Sequence, residues 1–219
     1  MKNSTVFFDK DISTDILKNK KIGVIGYGNQ GRAQALNLRD SKLKIKIGLR
    51  ENSKSLNKVK YDGLDTLKIK DAVKWADVIC ILVSDKASPE VYKKYIKDHL
   101  EDGNTLIFSH GYNIYYKKII VNKNINIIMV APSGGGALVR EKYKQGKGIP
   151  TLLAVEQDSS GNALDIAKSY SKAIGGTRVC AFISTFKEET ETDIFGEQAI
   201  LTGGLPYLIN NTYNTLIDN

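Results

Sequence analysis

The chain predicts a doubly wound α/β fold, and three observations carry that expectation. Six apolar runs of strand length recur along it: Lys21–Gly26, Leu43–Leu49, Asp77–Val83, Asn104–Phe108, Ile125–Val130 and Pro150–Val155. Stretches with helical spacing separate them, and all but the alternating Leu43–Leu49 are nearly continuous in Val, Ile and Leu, as strands buried on both faces of a parallel sheet are. A glycine pattern, Gly26-Tyr-Gly28-Asn-Gln-Gly31, stands between the first run and the first helical stretch.

That first stretch, about Gln30 to Asp40, follows a strand and opens on glycine, which is the context the pattern G-x-G-x-x-G needs to carry meaning. The first glycine permits a tight turn and the second a close approach by a pyrophosphate. The third lets helix pack on strand, while the helix N-terminus faces the phosphate charge. These are the marks of a Rossmann-type dinucleotide site. After the second strand comes Gly48-Leu-Arg50-Glu-Asn-Ser53-Lys-Ser55. Arg50 suits a forked contact to a 2′-phosphate and the hydroxyls of Ser53 and Ser55 can donate to it, so NADP is expected over NAD. Glu51 is the dissenting residue, since an acidic group here suits a free ribose hydroxyl.

The sheet is expected to end near Phe182. From Ser184 the pattern turns helical: Thr185 can cap, Glu188, Glu189 and Glu191 crowd the first turns, and Ile194, Phe195, Ile200 and Leu201 form an apolar stripe. Gly203-Gly204 interrupts it, and Leu208–Ile217 has the pattern of a second helix. Two units follow, a dinucleotide-binding domain over 1–183 and the start of an all-helical C-terminal domain over 184–219. Two helices alone cannot bury such a stripe.

Composition narrows the functional classes. With 219 residues, 42% hydrophobic and 26% charged, the chain is an ordinary globular one with room for a single large domain. Apolar runs fall short of a membrane span, and Met1–Lys20 lacks the apolar core of a secretory signal, so a cytoplasmic location is expected. The net charge of +8 is spread along the chain without the basic and aromatic interleaving of nucleic-acid binders. Cys80 and Cys180 lie in apolar runs, expected as buried, reduced strand residues, with no Cys-x-x-Cys spacing to hold a metal.

Three further segments make the pattern specific: Ser109-His110-Gly111-Tyr-Asn-Ile, Val130-Ala-Pro132 before a glycine-rich loop, and Thr185-Phe-Lys-Glu-Glu-Thr-Glu-Thr-Asp193-Ile-Phe-Gly-Glu197-Gln. With the glycine loop and Asn37-Leu-Arg-Asp-Ser41, the chain resembles ketol-acid reductoisomerase of the short class from about Phe7 to Ile217. The resemblance implies a magnesium-dependent alkyl migration in a 2-acetohydroxy acid, then NADPH reduction to a 2,3-dihydroxy acid, in valine and isoleucine biosynthesis. It implies that Asp193 and Glu197 hold Mg2+ and that His110 handles a proton in catalysis. The implied cofactor contacts are Tyr27, Gly28, Asn29 and Gln30 at the pyrophosphate, Arg50, Ser53 and Ser55 at the 2′-phosphate, and Asp85, Lys86, Ala87, Ser88 and Gly136 beside them.

Two departures qualify the resemblance. Ser133 stands where the family has a lysine near substrate and metal. Family chains also continue into a knotted helical domain with a second pair of metal-binding glutamates and a substrate-contacting serine. The expectation is therefore a truncated or degenerate relative, acting on its substrate as a homo-oligomer or beside a full-length homologue. Two alternatives stay open: an NADP-binding module without turnover, and another hydride-transferring hydroxyacid dehydrogenase.

Overall fold

The computed structural model describes residues 6–218; Met1–Thr5 and Asn219, at the outer ends of the two expected units, lie outside the described residues. A nine-stranded sheet runs through it. In chain order its strands are β1 (Val6–Phe7), β2 (Lys21–Ile25), β3 (Lys44–Leu49), β4 (Thr66–Lys68), β5 (Val78–Ile81), β6 (Thr105–Phe108), β7 (Asn126–Pro132), β8 (Thr151–Gln157) and β9 (Ala181–Ile183). Their order across the sheet is β1-β9-β8-β7-β6-β5-β2-β3-β4. The order reverses between β2 and β5, which opens a crevice at the carboxyl ends of those strands.

Helices cover both faces. They are α1 (Asp15–Lys18), α2 (Asn29–Asp40), α3 (Leu56–Tyr61), α4 (Ile69–Trp75), α5 (Ser88–Val91), α6 (Tyr112–Tyr115), α7 (Gly136–Lys144) and α8 (Ala163–Ile174), with α9 (Phe186–Phe195) and α10 (Gly204–Ile217) at the end. On one face Ala35 and Leu38 of α2 and Ile166, Ala167 and Tyr170 of α8 pack on Val24, Ile107 and Val130. On the other, Ile69, Ala72 and Val73 of α4 meet Ile25, Ile79 and Ile81. With both sides of each central strand buried, the strands are apolar along most of their length, which is why they read as continuous runs, and the buried Thr105 and Asn126 that open β6 and β7 are bonded to each other. Trp75 closes α4 beneath two ammonium groups, Lys46 at 5.1 Å and Lys21 at 6.0 Å from its ring centroid.

The sheet departs from a wholly parallel one at two places, β1 against β9 and β7 against β8. The second has a plain cause. The excursion through α7 leaves from the carboxyl end of β7 and returns to the same end, where Thr151 pairs with Pro132, so β8 must run back along its neighbour. Cys80 is a buried residue of β5 as expected, whereas Cys180 is half-buried and precedes β9.

Helix α9 is held to the sheet by Phe186, 2% exposed, whose ring meets Phe108 edge-on at 6.5 Å. Burying such a side chain contributes about 1.5–3 kcal/mol. The Thr185 hydroxyl caps the helix, accepting from Glu188 N–H at 3.0 Å. A π-helical turn over Gly196–Leu201 joins it to α10, which begins before the expected Leu208. Leu205, Leu208, Ile209, Leu216 and Ile217 of α10 are all exposed. Among the described residues, no helix is long and apolar enough to cross a membrane.

Candidate functional site

The glycine loop between β2 and α2 is shaped by its neighbours. Gly26 has φ +101°, and a Cβ there would sit 2.7 Å from the Leu82 carbonyl oxygen. A Cβ on Gly31 would lie 2.5 Å from the Gly26 oxygen, so the third glycine lets helix and strand close together. At Gly28 a Cβ would meet nothing within 4 Å: this glycine leaves open space in front of the first turn of α2.

The other residues expected at the pyrophosphate divide. Asn29 is exposed at the mouth of the loop. Tyr27 is turned inward, its hydroxyl donating to Asp62 Oδ2 at 2.8 Å, so it offers the crevice only its backbone. Arg32 grips the same carboxylate with two bonds of 2.7 Å and holds its pKa below the usual range. The Gln30 side chain is committed within the protein, donating to Gly134 O at 2.8 Å. Gly136 opens α7 directly against the loop, where a Cβ would lie 2.2 Å from Asn29 O. Its lack of a side chain is what allows α7 to close on the loop.

Arg50, exposed at the end of β3, lines a cavity of about 600 Å³ together with Glu51, Asn52, Lys68, Lys70 and Tyr95. Glu51 pairs with Lys68 at 2.5 Å, so the dissenting carboxylate has a cation of its own. Ser53 and Ser55 occupy the turn beyond, with Ser53 Oγ accepting from Ser55 N–H at 3.3 Å. Lys68 and Lys70 escaped the sequence reading because they come from β4 and α4, which only the sheet brings beside β3.

A second cavity, of about 570 Å³, lies between the carboxyl ends of the strands and α9. His110, Ser133, Glu189, Asp193 and Glu197 all line it. His110 follows β6, and its Nδ1 lies 2.9 Å from Asp85 Oδ2, a carboxylate further held by the Asn113 side-chain amide at 3.1 Å. Asp85, expected among cofactor contacts, is thus the partner of the histidine, while Lys86 is exposed, Ala87 half-buried and Ser88 buried at the start of α5. With Nδ1–H given to Asp85, Nε2 is left buried without a hydrogen-bond partner, 3.4 Å from Asp193 Oδ2, near enough for an ion pair when protonated. The Asp85 hydrogen bond, with Glu189 and Asp193 close by, raises the pKa of His110 against the effect of burial.

Glu189 is the residue that sequence reasoning missed. It is 4% exposed, accepts from Gly111 N–H at 2.7 Å, and burial pushes its carboxyl up to about 7. Glu189, Asp193 and Glu197 stand four residues apart, one stripe of a helix, a spacing present in the sequence but hidden among Glu188 and Glu191. Ligand atoms of His110, Glu189 and Asp193 lie within 4.8 Å of one another. His110 offers a nitrogen and the two carboxylates offer oxygens, the donors a hard divalent cation such as magnesium takes, while Glu197 lines the same cavity outside this group.

A doubly wound sheet with an open glycine loop, and a helix carrying carboxylates to the mouth of its crevice, defines a dinucleotide-binding domain of the Rossmann type. Remote likenesses agree on the fold: a semialdehyde dehydrogenase NAD-binding protein from Cupriavidus necator superposes with a TM-score of 0.69 at 16% identity, over 91% of this chain and 74% of that one. The family is more specific. Residues 16–180 match the acetohydroxy acid isomeroreductase NADPH-binding domain and residues 186–219 the ketol-acid reductoisomerase C-terminal domain, and the chain belongs to the ketol-acid reductoisomerase family. It is 51% identical over 213 residues to the ketol-acid reductoisomerase (NADP(+)) of Methanocaldococcus jannaschii, and 49% identical to that of Methanosphaera stadtmanae. Each alignment covers 97% of this chain, which spans 64% of the length of either relative. A solved structure of an NADH-preferring ketol-acid reductoisomerase from an uncultured archean superposes with a TM-score of 0.94 at 40% identity, over 98% of this chain and 66% of that one.

Proposed function

We propose that the chain carries the cofactor half and part of the metal site of a ketol-acid reductoisomerase, with 1–183 as the NADP-binding domain and 184–219 as the start of the helical one. The reaction is the magnesium-assisted alkyl migration of a 2-acetohydroxy acid and reduction by NADPH to a 2,3-dihydroxy acid, a cytoplasmic step toward valine and isoleucine. The observation that carries this reading is the meeting of Asp193, Glu197 and His110 in one cavity beside the glycine loop.

In that reading the first turn of α2 receives the pyrophosphate through backbone N–H groups, and the helix N-terminus favours its charge. Arg50, with Lys68 and Lys70, receives the 2′-phosphate. Asp193 and Glu197, with Glu189 beside them, supply oxygen ligands to magnesium, which when bound polarises substrate oxygens as a Lewis acid. Asp85 fixes the tautomer of His110, so Nε2 holds and returns a proton at the substrate side.

One observation favours the binding-only reading: among the described residues lining the 570 Å³ cavity there is no Lys or Arg, and Ser133 offers no charge. The test is NADPH oxidation by the purified chain with 2-acetolactate and magnesium, alone and mixed with one of the longer relatives. Turnover that requires magnesium and His110 supports the enzyme. NADPH binding with no turnover by the chain alone, and none beyond the relative's own rate in the mixture, supports the binding module.

A further inference from the structure

Gln34 lies one turn beyond Gln30 on α2, with none of its surface exposed. Its Nε2 donates to Gln30 Oε1 at 3.0 Å and to Ser109 Oγ at 2.9 Å, and its Oε1 accepts from the Tyr170 hydroxyl at 2.8 Å. The chain of bonds continues outward from both neighbours. Gln30 Nε2 donates to Gly134 O at 2.8 Å, and Ser109 Oγ donates to Val130 O at 3.0 Å. Three segments at the carboxyl edge of the sheet are thereby joined through two side chains, Gln34 and Gln30: the start of α2 behind the glycine loop, the Ser109–His110 loop after β6, and the Ser133–Gly135 loop after β7.

The directions of these bonds are fixed. Ser109 gives its only proton to Val130, so it must accept from Gln34. Both amide protons of Gln34 are then used, and its oxygen is left to accept from Tyr170, which is itself fully buried in α8. Turning the amide over would set its oxygen against Gln30 Oε1, which faces it because Gly134 O can only accept and holds the Gln30 amide nitrogen. Because the groups of the fully buried Gln34 cannot be released without leaving them unpaired, a shift of either neighbour is resisted through it.

We propose that Gln34 is a positioning residue that transmits occupancy of the glycine loop to the His110 side of the site. An anion drawn to the first turn of α2 fixes Gln30. Gln30 has no slack, since both ends of its amide are bonded, and the constraint passes through Gln34 to Ser109 and the adjoining His110. The proposal rests on the cofactor reading of the glycine loop. Tyr170 anchors the relay from behind and Gly134 extends it toward Ser133, so phosphate binding on one side of the crevice sets the geometry of the proton-handling and substrate sides.

The test uses a ligand that fills the phosphate site but is too short to touch His110: 2′-phospho-ADP, with ADP as a second probe. The chain has two histidines, and His99 lies at the far end of β6, so His110 can be followed by the imidazole Cε1–H resonance with His99 as reference. At fixed pH, binding is expected to move the His110 signal and leave His99 still. In Gln34→Met the probe should bind about five- to tenfold more weakly, as for loss of one buried hydrogen bond, and at saturation the His110 signal should no longer move. Ser109→Ala, which removes one hydroxyl and serves if Gln34→Met fails to fold, should likewise abolish the movement. A His110 response that persists in either folded variant overturns the coupling while leaving the cofactor reading intact. Failure of both probes to bind the parent chain overturns the cofactor reading and the coupling with it.

Discussion

Replacing Gly136 with alanine isolates the contact that lets α7 close on the glycine loop. The added Cβ would stand 2.2 Å from Asn29 O, 2.3 Å from Asn29 C and 2.7 Å from Gln30 N, all of them backbone atoms. Ordinary contact begins at 3.4 Å, so the two backbones must part by about 1.2 Å. Side chains can turn aside from an intruding methyl group; two helix N-termini cannot. Overpacking of this kind costs about 1–3 kcal/mol, and with backbone on both sides the upper half of that range is expected. For a chain of this size that lowers Tm by roughly 5–10 °C. Asn29 and Gln30 are displaced with the loop, so NADPH affinity should fall at least about tenfold, the scale set by losing one charge-assisted hydrogen bond. The neighbouring Gly135 provides the control. It has φ −62° and ψ 147°, and a Cβ there would meet nothing within 4 Å. Gly135→Ala should therefore stay within about 1 kcal/mol of the parent, the modest loss at a helix cap being offset by a less flexible unfolded chain. Thermal unfolding and a fluorescence titration of NADPH on both variants decide the matter. Equal Tm and equal affinity for Gly136→Ala and Gly135→Ala would refute the close approach of α7 and the loop.

Gly28→Ala should have the opposite profile, with stability within about 1 kcal/mol of the parent but NADPH binding lost, because its Cβ enters the space left for phosphate; retained affinity in a titration would move the phosphates elsewhere. Arg50→Ala should reduce the preference for NADPH over NADH by about five- to 150-fold, the worth of a charge-assisted bond of about 1–3 kcal/mol; equal affinities for the two cofactors in the parent would sink the assignment. Urea midpoints between pH 5 and 8 should show stability falling as pH rises. The Glu189 carboxyl is raised from 4.5 to about 7, so the folded chain holds that proton longer than the unfolded one and loses stability across this window. His110, raised from 6.5 by its carboxylate partners, contributes stability that is lost as pH rises through its folded pKa, in the same direction. Glu189→Gln cannot ionise and should flatten the profile by up to about 3 kcal/mol; an unchanged slope would contradict the buried carboxyl. The exposed apolar face of α10 should make sedimentation depend on concentration, and Leu208→Asp should remove that dependence; a single monomeric species at every concentration would rule out association through this helix.

The central strands were legible because burial on both faces leaves few polar positions, so β2, β5, β6 and β7 stand out as nearly continuous apolar runs. The direction of β8 was not, since it depends on where α7 docks and returns, a choice made by Gly136 against Asn29 rather than by any residue of β8. Two-residue β1 and three-residue β4 carry too little pattern to notice. At the site, the glycine loop could be read from spacing and context, whereas the Asp193 and Glu197 pair stood out only through the family resemblance, since an acidic helix face is ordinarily just solvated. Glu189 was read as one of three acidic residues favouring a helix N-terminus. In the fold that helix turns Glu189 toward Gly111 and leaves Glu188 outside. Asp85 was placed at the cofactor through the family resemblance, and only the packing of β5 beside β6 brings it to His110. Cys180 was judged by its apolar neighbours, but β9 begins one residue later.

The position of Trp75 has an optical consequence. It is the only tryptophan in the chain, and it is held by Lys21 and Lys46 at the start of β2 rather than at the crevice. Five residues of extended strand place the glycine loop about 17 Å away. A bound dinucleotide therefore cannot quench the indole by contact. A reduced nicotinamide can still accept its excitation through space, because it absorbs where tryptophan emits. Intrinsic emission colour then reports whether the base of the sheet is folded, and sensitised emission from the cofactor reports whether its top is occupied. One sample carries both signals without a label, and a variant that loses the second while keeping the first has lost its ligand and not its fold.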